Sequence, residues 1–257
     1  MLKLSVVIIT FNEERNISRC LDSVKSVADE VVVVDSFSTD RTRELAITMG
    51  ARVIEHVFEG YIEQKNWAAT HTRYPLILSL DADEALDEEL QQSVLQVKTR
   101  QTPGAYTMNR LSHYGGQWIR HSGWYPDRKL RLWSAGAGRW TGTNPHESFK
   151  LYDNQALITR LPGHLLHFSY YTLSEHIQRA NKYSIMAARA LYQQGKTIAW
   201  PMIIIKAVAR FIKAFVIKGG FRGGIYGWII CCTATYEVFL KYSRLYLLQQ
   251  GKEDFAA

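Results

Sequence analysis

Residues 75–86 read PLILSLDADEAL, an apolar run that ends abruptly in three carboxylates. The run 75–80 is typical of a buried strand, because it is short, continuous and rich in branched apolar side chains. Asp81, Asp83 and Glu84 follow within four positions. Crowded or buried like charges need either open water or a cation. This segment therefore predicts a strand end at which carboxylates meet solvent or a metal ion.

The segments before this one alternate strand and helix patterns. SVVIIT (5–10), EVVVVD (30–35) and RVIEH (52–56) are predicted strands, and YIEQKNWAATHT (61–72) is one of the predicted helices between strands. Continuous Val, Ile and Leu strands joined by helices indicate a mostly parallel sheet with helices on both faces. The sequence thus predicts an α/β fold of the Rossmann-like kind.

Polar residues follow three of the predicted strands. Thr10 and Asn12 lie at the end of the first strand, Asp35 ends the second, and Asp81 follows the fourth. Ligands of parallel sheets bind beyond the carboxyl ends of the strands, so these residues are expected to line one crevice, where Asp35 can bind a base or ribose. No GxGxxG follows the first strand and no Walker lysine is present, which disfavours a dinucleotide site or a P-loop.

The DAD triplet at 81–83 has two interpretations. Carboxylates two positions apart at a strand end can converge on one divalent cation, which prefers oxygen ligands. Alternatively, Asp83 or Asp87 caps the helix DEELQQSVLQVK (87–98), and Glu84 belongs to the start of that helix. The metal interpretation is favoured, because the triplet follows a buried strand at the ligand-binding edge.

Gln64 and Lys65 lie in the segment FEGYIEQKNWA. They could bring an amide and a cation toward a diphosphate. For Lys65 alone, a solvated position on a helix face is the more common explanation.

The charge is divided unevenly along the 257 residues. Residues 1–100 contain 11 Lys and Arg against 17 Asp and Glu, whereas residues 101–257 contain 20 against 7, so the second part is expected to meet an anion. Three cysteines without a CxxC offer no disulfide framework, as expected in a reducing cytosol. The apolar run near the N-terminus is too short for a signal peptide. The uncharged stretch 223–236 falls short of the roughly 20 residues that a membrane span needs.

The segment IIIKAVARFIKAFVI (203–217) predicts a basic amphipathic helix. Three cations share one face, and four large apolar residues share the opposite face: Lys206, Arg210 and Lys213, against Val208, Phe211, Ile212 and Phe215. Such a helix can lie in the plane of anionic lipid headgroups. The alternatives are an ordinary surface helix packed on the sheet domain and a homodimer formed through the same apolar surface.

The motifs TFNEE, VVVVDSFSTDRT, EQKN and LDADE occur in an order and spacing that resemble inverting glycosyltransferases of family 2 with the GT-A fold. Further along, GWYPDRKLRLW, NPHES and the tail GGFRGGIYGWIICCTATYEVFLKY are similar to the subgroup that includes lipopolysaccharide inner-core glucosyltransferases. The resemblance covers essentially the whole chain, and it is most specific in the first hundred residues.

The resemblance implies a role for each residue at the predicted crevice. Asp35 would contact the base or ribose beside Thr10 and Asn12, and Lys65 with Gln64 would lie near the diphosphate. Asp81 would serve the ribose and metal region, and Asp83 would bind the cation, Mg or Mn.

The family also needs a carboxylate base that deprotonates the acceptor hydroxyl. Glu147 is favoured over Asp127, because His146 precedes it and the family motif includes this His-Glu pair. His146 would approach the metal or the diphosphate. Asp127 has the alternative of a local ion pair with Arg128 or Arg131. Trp124, close to Asp127, is assigned to the acceptor, because aromatic faces stack on sugar rings.

The sequence therefore predicts a metal-dependent enzyme that moves a hexose, with glucose favoured, from a nucleotide sugar, with a UDP-sugar favoured, to a lipid-linked or lipopolysaccharide-core glycan. Its catalytic domain is expected over 1–168, with a nucleotide-sugar-binding half (1–100) and an acceptor-facing half (101–168). A helical, basic, membrane-associating extension is expected over 169–257, which places the protein on the cytoplasmic face of the inner membrane as a peripheral or monotopic protein.

Two other functions compete with this prediction. A sugar nucleotidyltransferase is disfavoured because TFNEERN is not a Gly-rich phosphate loop. A nucleic-acid-binding protein is disfavoured, and no nucleic-acid partner is expected, because the positive charge lies on an apolar amphipathic tail.

Overall fold

A computed structural model describes residues 1–100, 104–143 and 146–252, without the side chains of Arg100 and His146. The strands are β1 (Leu4–Thr10), β2 (Glu30–Asp35), β3 (Arg52–Glu55), β4 (Leu76–Asp81), β5 (Glu84–Leu86), β6 (Ala105–Tyr114), β7 (Gln117–Ile119), β8 (Asp127–Ser134), β9 (Gly138–Thr143), β10 (His146–Leu151) and β11 (Ile158–Tyr170). The helices are α1 (Ile17–Val24), α2 (Thr42–Thr48), α3 (Tyr61–Thr70), α4 (Glu88–Arg100), α5 (Leu173–Gln193), α6 (Trp200–Ile212) and α7 (Gly224–Gln249).

The main sheet has the strand order β3-β2-β1-β4-β8-β6-β11-β5. Its first four strands are parallel, whereas β8 runs antiparallel to β4 and β6 antiparallel to β8. In the register of β1, Thr10 pairs with Asp35 of β2, and Ile9 pairs with Asp81 of β4. The carboxylates of Asp35 and Asp81 therefore lie on either side of β1, at the same edge of the sheet, as the sequence predicts.

Side chains that alternate along β1 enter two different cores, because successive residues of a strand point to opposite faces. Val6 and Ile8 pack with residues of α1 and α4 on one face. Val7 and Ile9 pack with Ala68 of α3 and with tryptophans of β8 and β9 on the other face. Helices thus cover both faces, and the predicted α/β fold class is confirmed.

The chain forms two compact units. The first comprises 1–111 and 127–168 and carries most of the main sheet, together with the small β9–β10 sheet. The second comprises 112–126 and the residues from Ser169 onward, and it is mainly helical. The sequence placed a boundary at 168, but nothing in it indicated that 112–126 belongs with the C-terminal helices.

Helix α6 continues into a π-helical turn at Lys213–Ile217. Its buried stripe consists of residues with small or medium side chains, Ile203 and Ala207, continued by Ala214. Most of its large apolar side chains, Val208 and Ile212 among them, stay exposed. In the described part of the chain, no helix combines the length and the apolar character that crossing a membrane requires.

Candidate functional site

The loops after β1 and β2 are joined by hydrogen bonds around Asp35. This carboxylate is fully buried and accepts hydrogen bonds from the backbone N–H (2.7 Å) and the hydroxyl of Ser38. The same Ser38 hydroxyl accepts a hydrogen bond from the Asn12 N–H (2.8 Å), and Asn12 Oδ1 accepts one from the Thr39 N–H (2.8 Å). Asp35 and Asn12 therefore shape the crevice wall, and their predicted contacts with a base or ribose stay predictions.

Thr10 ends β1 between these loops and the Asp81 strand. Its hydroxyl is buried and has no hydrogen-bond partner among the described residues. A buried polar group without a partner is costly, so an orphaned hydroxyl at this edge of the sheet is consistent with a ligand that binds there.

Gln64 of α3 is buried and linked to the loops that follow β2 and β3. Its Nε2 donates a hydrogen bond to the Ser36 hydroxyl (3.1 Å), and its Oε1 lies 2.8 Å from His56 Nδ1. The next but one residue, Asn66, accepts a hydrogen bond from the N–H of Trp140 and donates one to its carbonyl. The QKN segment thus fastens α3 to the crevice on one side and to β9 on the other.

Lys65 lies between Asp81, at the end of β4, and Glu147, the predicted base. Only 1% of the residue is exposed, and its Nζ lies 2.9 Å from Asp81 Oδ1 and 2.7 Å from Glu147 Oε1. The ring of Trp140 lies 4.7 Å from the same ammonium group. The interpretation of Lys65 as a solvated helix residue is therefore wrong, because its charge is neutralised by two carboxylates in the interior.

Arg131 is the most important residue that the sequence analysis missed. Its guanidinium is 3% exposed, and Nη2 lies 2.7 Å from both Asp81 Oδ2 and Glu84 Oε1. Its Nε and Nη1 have no hydrogen-bond partner among the described residues. The available signal was a charged residue inside the apolar strand LRLW, where an inward-facing arginine needs a buried acid.

Glu84 is this buried acid. It lies in β5 and accepts a hydrogen bond from the Asp81 N–H (3.0 Å). The prediction that Glu84 starts a helix is wrong. Instead, α4 begins after Asp87, whose Oδ1 accepts a hydrogen bond from the Leu90 N–H (2.8 Å) as a helix cap.

The charges around Asp81 fix its protonation state. Burial would raise the pKa of Asp81, but Arg131 and Lys65 outweigh burial and hold that pKa far below its usual range. Burial opposes the charge of Arg131 as well, yet Asp81 and Glu84 outweigh it and raise the arginine pKa. Asp81 is therefore a carboxylate at neutral pH, as a ligand-binding acid requires.

Asp83 has different neighbours from Asp81. Its Oδ2 lies 3.3 Å from Nε2 of His167 in β11, and its backbone carbonyl accepts a hydrogen bond from the Phe168 N–H (2.9 Å). The sequence analysis did not single out His167, which lies 84 positions away along the chain. Asp83 therefore does not cap α4, and a carboxylate oxygen and an imidazole nitrogen lie side by side at the strand end.

A second group with metal-ligating side chains contains Asp87, Glu89 and His164. Both oxygens of Asp87 are already engaged, one by the helix cap and the other by the backbone N–H of His164 (2.9 Å) and its Nδ1 (3.0 Å). These contacts account for the position of Asp87 without an ion.

Asp127, the second candidate base, begins β8. Its Oδ2 accepts hydrogen bonds from Nε (2.9 Å) and Nη2 (2.8 Å) of Arg110, and Lys129 Nζ lies 3.1 Å from Oδ1. The predicted pairing with Arg128 or Arg131 is therefore wrong. Burial would raise the pKa of Asp127, but Arg110 and Lys129 outweigh burial and lower it.

The remaining predicted residues lie in different surroundings. Glu147 lies in β10, and the side chain of its neighbour His146 is outside the described residues. Trp124 belongs to the second unit, where it packs in a cluster of aromatic rings: Tyr114, Tyr170 and His176.

Comparisons with known proteins place the sequence in a family. The family model described as Glycosyl transferase family 2 matches residues 5–160. The chain is 32% identical to an uncharacterized glycosyltransferase of Rickettsia typhi, over 95% of this chain and 87% of the relative. It is 30% identical to the lipopolysaccharide core biosynthesis glycosyltransferase LpsC of Rhizobium meliloti, over 95% of this chain and 92% of that one. Among solved structures, glucosyl-3-phosphoglycerate synthase from Mycobacterium tuberculosis, in complex with Mn²⁺, UDP and glucosyl-3-phosphoglycerate, is 28% identical over 44% of each chain, with a TM-score of 0.35.

Proposed function

Since the chain belongs to glycosyl transferase family 2 and has the GT-A fold, we propose that it transfers a hexose from a nucleotide sugar to a lipid-linked or lipopolysaccharide-core glycan, with inversion at the anomeric carbon. Glucose and a UDP donor are favoured. The observation that carries this proposal is the buried charge network in which Lys65 and Arg131 hold Asp81 ionised at the carboxyl edge of β4. Among the functions that the sequence left open, the family match selects the glycosyltransferase.

The donor is proposed to bind across β1. Asp35 and Asn12 would contact the base and ribose, with the Thr10 hydroxyl as a further partner, since this hydroxyl lacks one among the described residues. Gln64 holds the crevice wall, and Lys65 and Arg131 place positive charge 2.9 Å and 2.7 Å from the Asp81 carboxylate. A diphosphate at this position would gain from Lys65 and Arg131, because cations aimed at a departing phosphate stabilise the charge that develops on it.

A divalent cation, Mg or Mn, is proposed at Asp83, with Asp81 beside it. The residues fit such an ion, because a carboxylate is a hard oxygen ligand and His167 adds a nitrogen donor 3.3 Å away. When bound, the cation would offset the negative charge of the diphosphate leaving group. The protein holds the side chains of Asp83 and His167 in place at the strand end.

Glu147 is the favoured base. It would accept the proton of the acceptor hydroxyl while the hydroxyl oxygen attacks the anomeric carbon, opposite to the bond that breaks to the nucleoside diphosphate. Its side chain shares Lys65 with Asp81, so a diphosphate that draws on Lys65 would free the Glu147 carboxylate from this ion pair. Asp127 is held by Arg110 and Lys129, which lower its pKa and so disfavour it as a proton acceptor. His146 is proposed near the diphosphate, and Trp124 of the second unit keeps its predicted role as a contact of the acceptor sugar.

The second unit is proposed to bind the anionic membrane that carries the acceptor. Its described residues include 13 Lys and Arg against two acids, Glu175 and Glu237. Exposed apolar side chains continue from α6 into the start of α7: Ile204, Ile205, Val208, Ile212, Val216, Ile217, Phe221, Ile225 and Trp228. Basic and apolar groups together favour a lipid interface, and a homodimer through the same face is the competing arrangement. We place this interface on the cytoplasmic face of the inner membrane.

A thermal-shift screen tests the donor and the cation together. UDP, GDP and dTDP sugars are added with and without Mn, and we expect a Mn-dependent rise in melting temperature with a UDP-sugar. Asp83→Ala should lose this rise and sugar transfer while keeping the melting temperature of the unliganded protein. Asp22→Ala, which removes an exposed acid of α1, should behave like the wild type. Full transfer activity in Asp83→Ala would contradict the proposal.

A further inference from the structure

The second unit contains a cavity of about 220 Å³ that the proposed reaction does not use. One wall follows β7, and the other is the glycine-rich turn before α7. Its lining includes Arg120, His121, Ser122, Arg222, Gly223 and Tyr226. Of the described residues that line it, none is acidic.

Close packing builds the cavity. Gly220 and Gly227 let the turn at Gly220–Gly223 lie directly against α7, because a Cβ on Gly227 would lie 2.0 Å from the Gly220 carbonyl oxygen. The opposite wall is fastened by hydrogen bonds from the Ser122 N–H to the Lys218 carbonyl (3.0 Å) and from the Tyr226 hydroxyl to the Gly115 carbonyl (3.1 Å). The cavity is therefore a formed part of this unit and not a gap between loose loops.

Three kinds of group in the cavity attract an anion. Arg120 and Arg222 supply guanidinium groups, which bind oxyanions through paired hydrogen bonds. The turn residue Gly223 leads into the 26-residue helix α7, whose first N–H groups and dipole favour negative charge.

The third group is the hydroxyl of Ser122. It lies at the cavity, is 3% exposed as a residue and has no hydrogen-bond partner of normal geometry among the described residues. The Cys231 thiol approaches it, but a thiol is a weak partner. An oxyanion in the cavity would satisfy this buried hydroxyl, which is otherwise costly to leave unpaired.

We infer that this cavity binds a phosphate group carried by a membrane lipid. Its volume is smaller than the roughly 300–1,000 Å³ of pockets that hold drug-sized ligands, so it suits a single headgroup phosphate better than a larger molecule. Phe221 and Ile225, on either side of Arg222 and Gly223 in sequence, are 58% and 65% exposed. These apolar side chains beside a phosphate-binding pocket favour a lipid over a soluble phosphate compound. The inference requires neither a nucleotide sugar nor a metal, so it stands or falls apart from the proposed reaction.

Vesicle co-sedimentation of the full chain tests the lipid source. Phosphatidylcholine vesicles carry either phosphatidic acid or cholesteryl hemisuccinate, a carboxylate lipid, at equal surface charge. We expect the wild type to prefer phosphatidic acid, and Arg222→Gln or Arg120→Gln to weaken binding to it by about tenfold or more, because a charge-assisted hydrogen bond to the phosphate is lost in addition to the general attraction of a cation to an anionic surface. Binding to the hemisuccinate vesicles should change less. Lys196→Gln, which removes an exposed cation of the same unit outside the cavity, should leave the ratio between the two vesicle types unchanged.

Titration with inorganic phosphate, against chloride at equal ionic strength, distinguishes the sources. A rise in melting temperature that Arg222→Gln abolishes, without any preference for phosphatidic acid, would keep the phosphate site but overturn the lipid source. A vesicle preference that is equal in the wild type and Arg222→Gln, together with no effect of inorganic phosphate, would overturn the site itself. Circular dichroism of both arginine variants checks that they fold.

Discussion

Replacing Arg131 with methionine should destabilise the first unit more than any surface substitution. Arg131 Nη2 lies 2.7 Å from one oxygen of Asp81 and one of Glu84, so these oxygens are at most about 5.4 Å apart. At an effective dielectric constant of about 20, each attraction is worth about 6 kcal/mol, and the repulsion that remains without the arginine is at least about 3 kcal/mol. Lys65 still neutralises Asp81, but among the described residues Glu84 keeps only Arg110 as an ion-pair partner, at 3.6 Å. We therefore expect a loss of about 3–5 kcal/mol in the free energy of unfolding, the range for breaking a buried ion pair from one side.

Urea unfolding, followed by circular dichroism and tryptophan fluorescence, measures this loss. Arg128→Met on the same strand is the matched control, because Arg128 is exposed and should change stability by less than about 0.5 kcal/mol. Adding Glu84→Gln to Arg131→Met should recover about 2 kcal/mol, because the amide keeps an acceptor for the Asp81 N–H and removes the unpaired charge. A loss in Arg131→Met below about 1 kcal/mol, or no recovery in the double variant, would refute the reasoning.

Three further substitutions test other parts of the fold. Gly163→Ala should lower the free energy of unfolding by at least about 2 kcal/mol more than Gly136→Ala in chemical unfolding. Both glycines have positive φ, but a Cβ at 163 would lie 2.2 Å from a backbone nitrogen of α4, whereas one at 136 meets open space. Equal losses in the two variants would contradict this packing. Burial and a neighbouring arginine lower the pKa of His176 to about 4, so the unfolded chain binds the extra proton and stability should be lost as the pH falls from about 6.5 toward 4. Melting curves across this range should show a steeper pH dependence in the wild type than in His176→Asn, and parallel curves would argue against a buried neutral imidazole. Asn66→Ala leaves the N–H and carbonyl of Trp140 without their side-chain partners and should lower the free energy of unfolding by about 2 kcal/mol. Asn66→Asp should lose less, because it keeps the acceptor for the Trp140 N–H. An unchanged melting temperature in Asn66→Ala would show that water replaces both bonds.

Local patterns were sufficient to predict the parallel strands and the edge of the sheet at which Asp35 and Asp81 lie. The strands that end in Asp35 and Asp81 are continuous apolar runs, and such a run can be recognised from neighbouring residues alone. The rule that ligands bind at the carboxyl ends of parallel strands then placed both acids at one edge. The cap of α4 at Asp87 was one of two predicted positions, and only the structure distinguishes it from Asp83.

Long-range pairing was what the sequence did not reveal. Lys65 looks like a solvated helix residue unless its partner Glu147, 82 positions later, is known. Arg131 and His167 approach Asp81 and Asp83 from strands that follow the acids by 50 and 84 positions. Periodicity and capping depend on residues a few positions apart, so they do not indicate which cationic side chain forms an ion pair with which acid.

The span of these contacts has a consequence for the order of folding. The acids of β4 and β5 lie in the first hundred residues, which carry more Asp and Glu than Lys and Arg, whereas Arg131 and Glu147 come from later strands. Contacts between such distant positions carry a large loop-closure entropy and form slowly. During synthesis, Arg131 and Glu147 can therefore reach Lys65, Asp81 and Glu84 only after β8 and β10 have left the ribosome. We expect the crevice to be the last part of the first unit to become ordered.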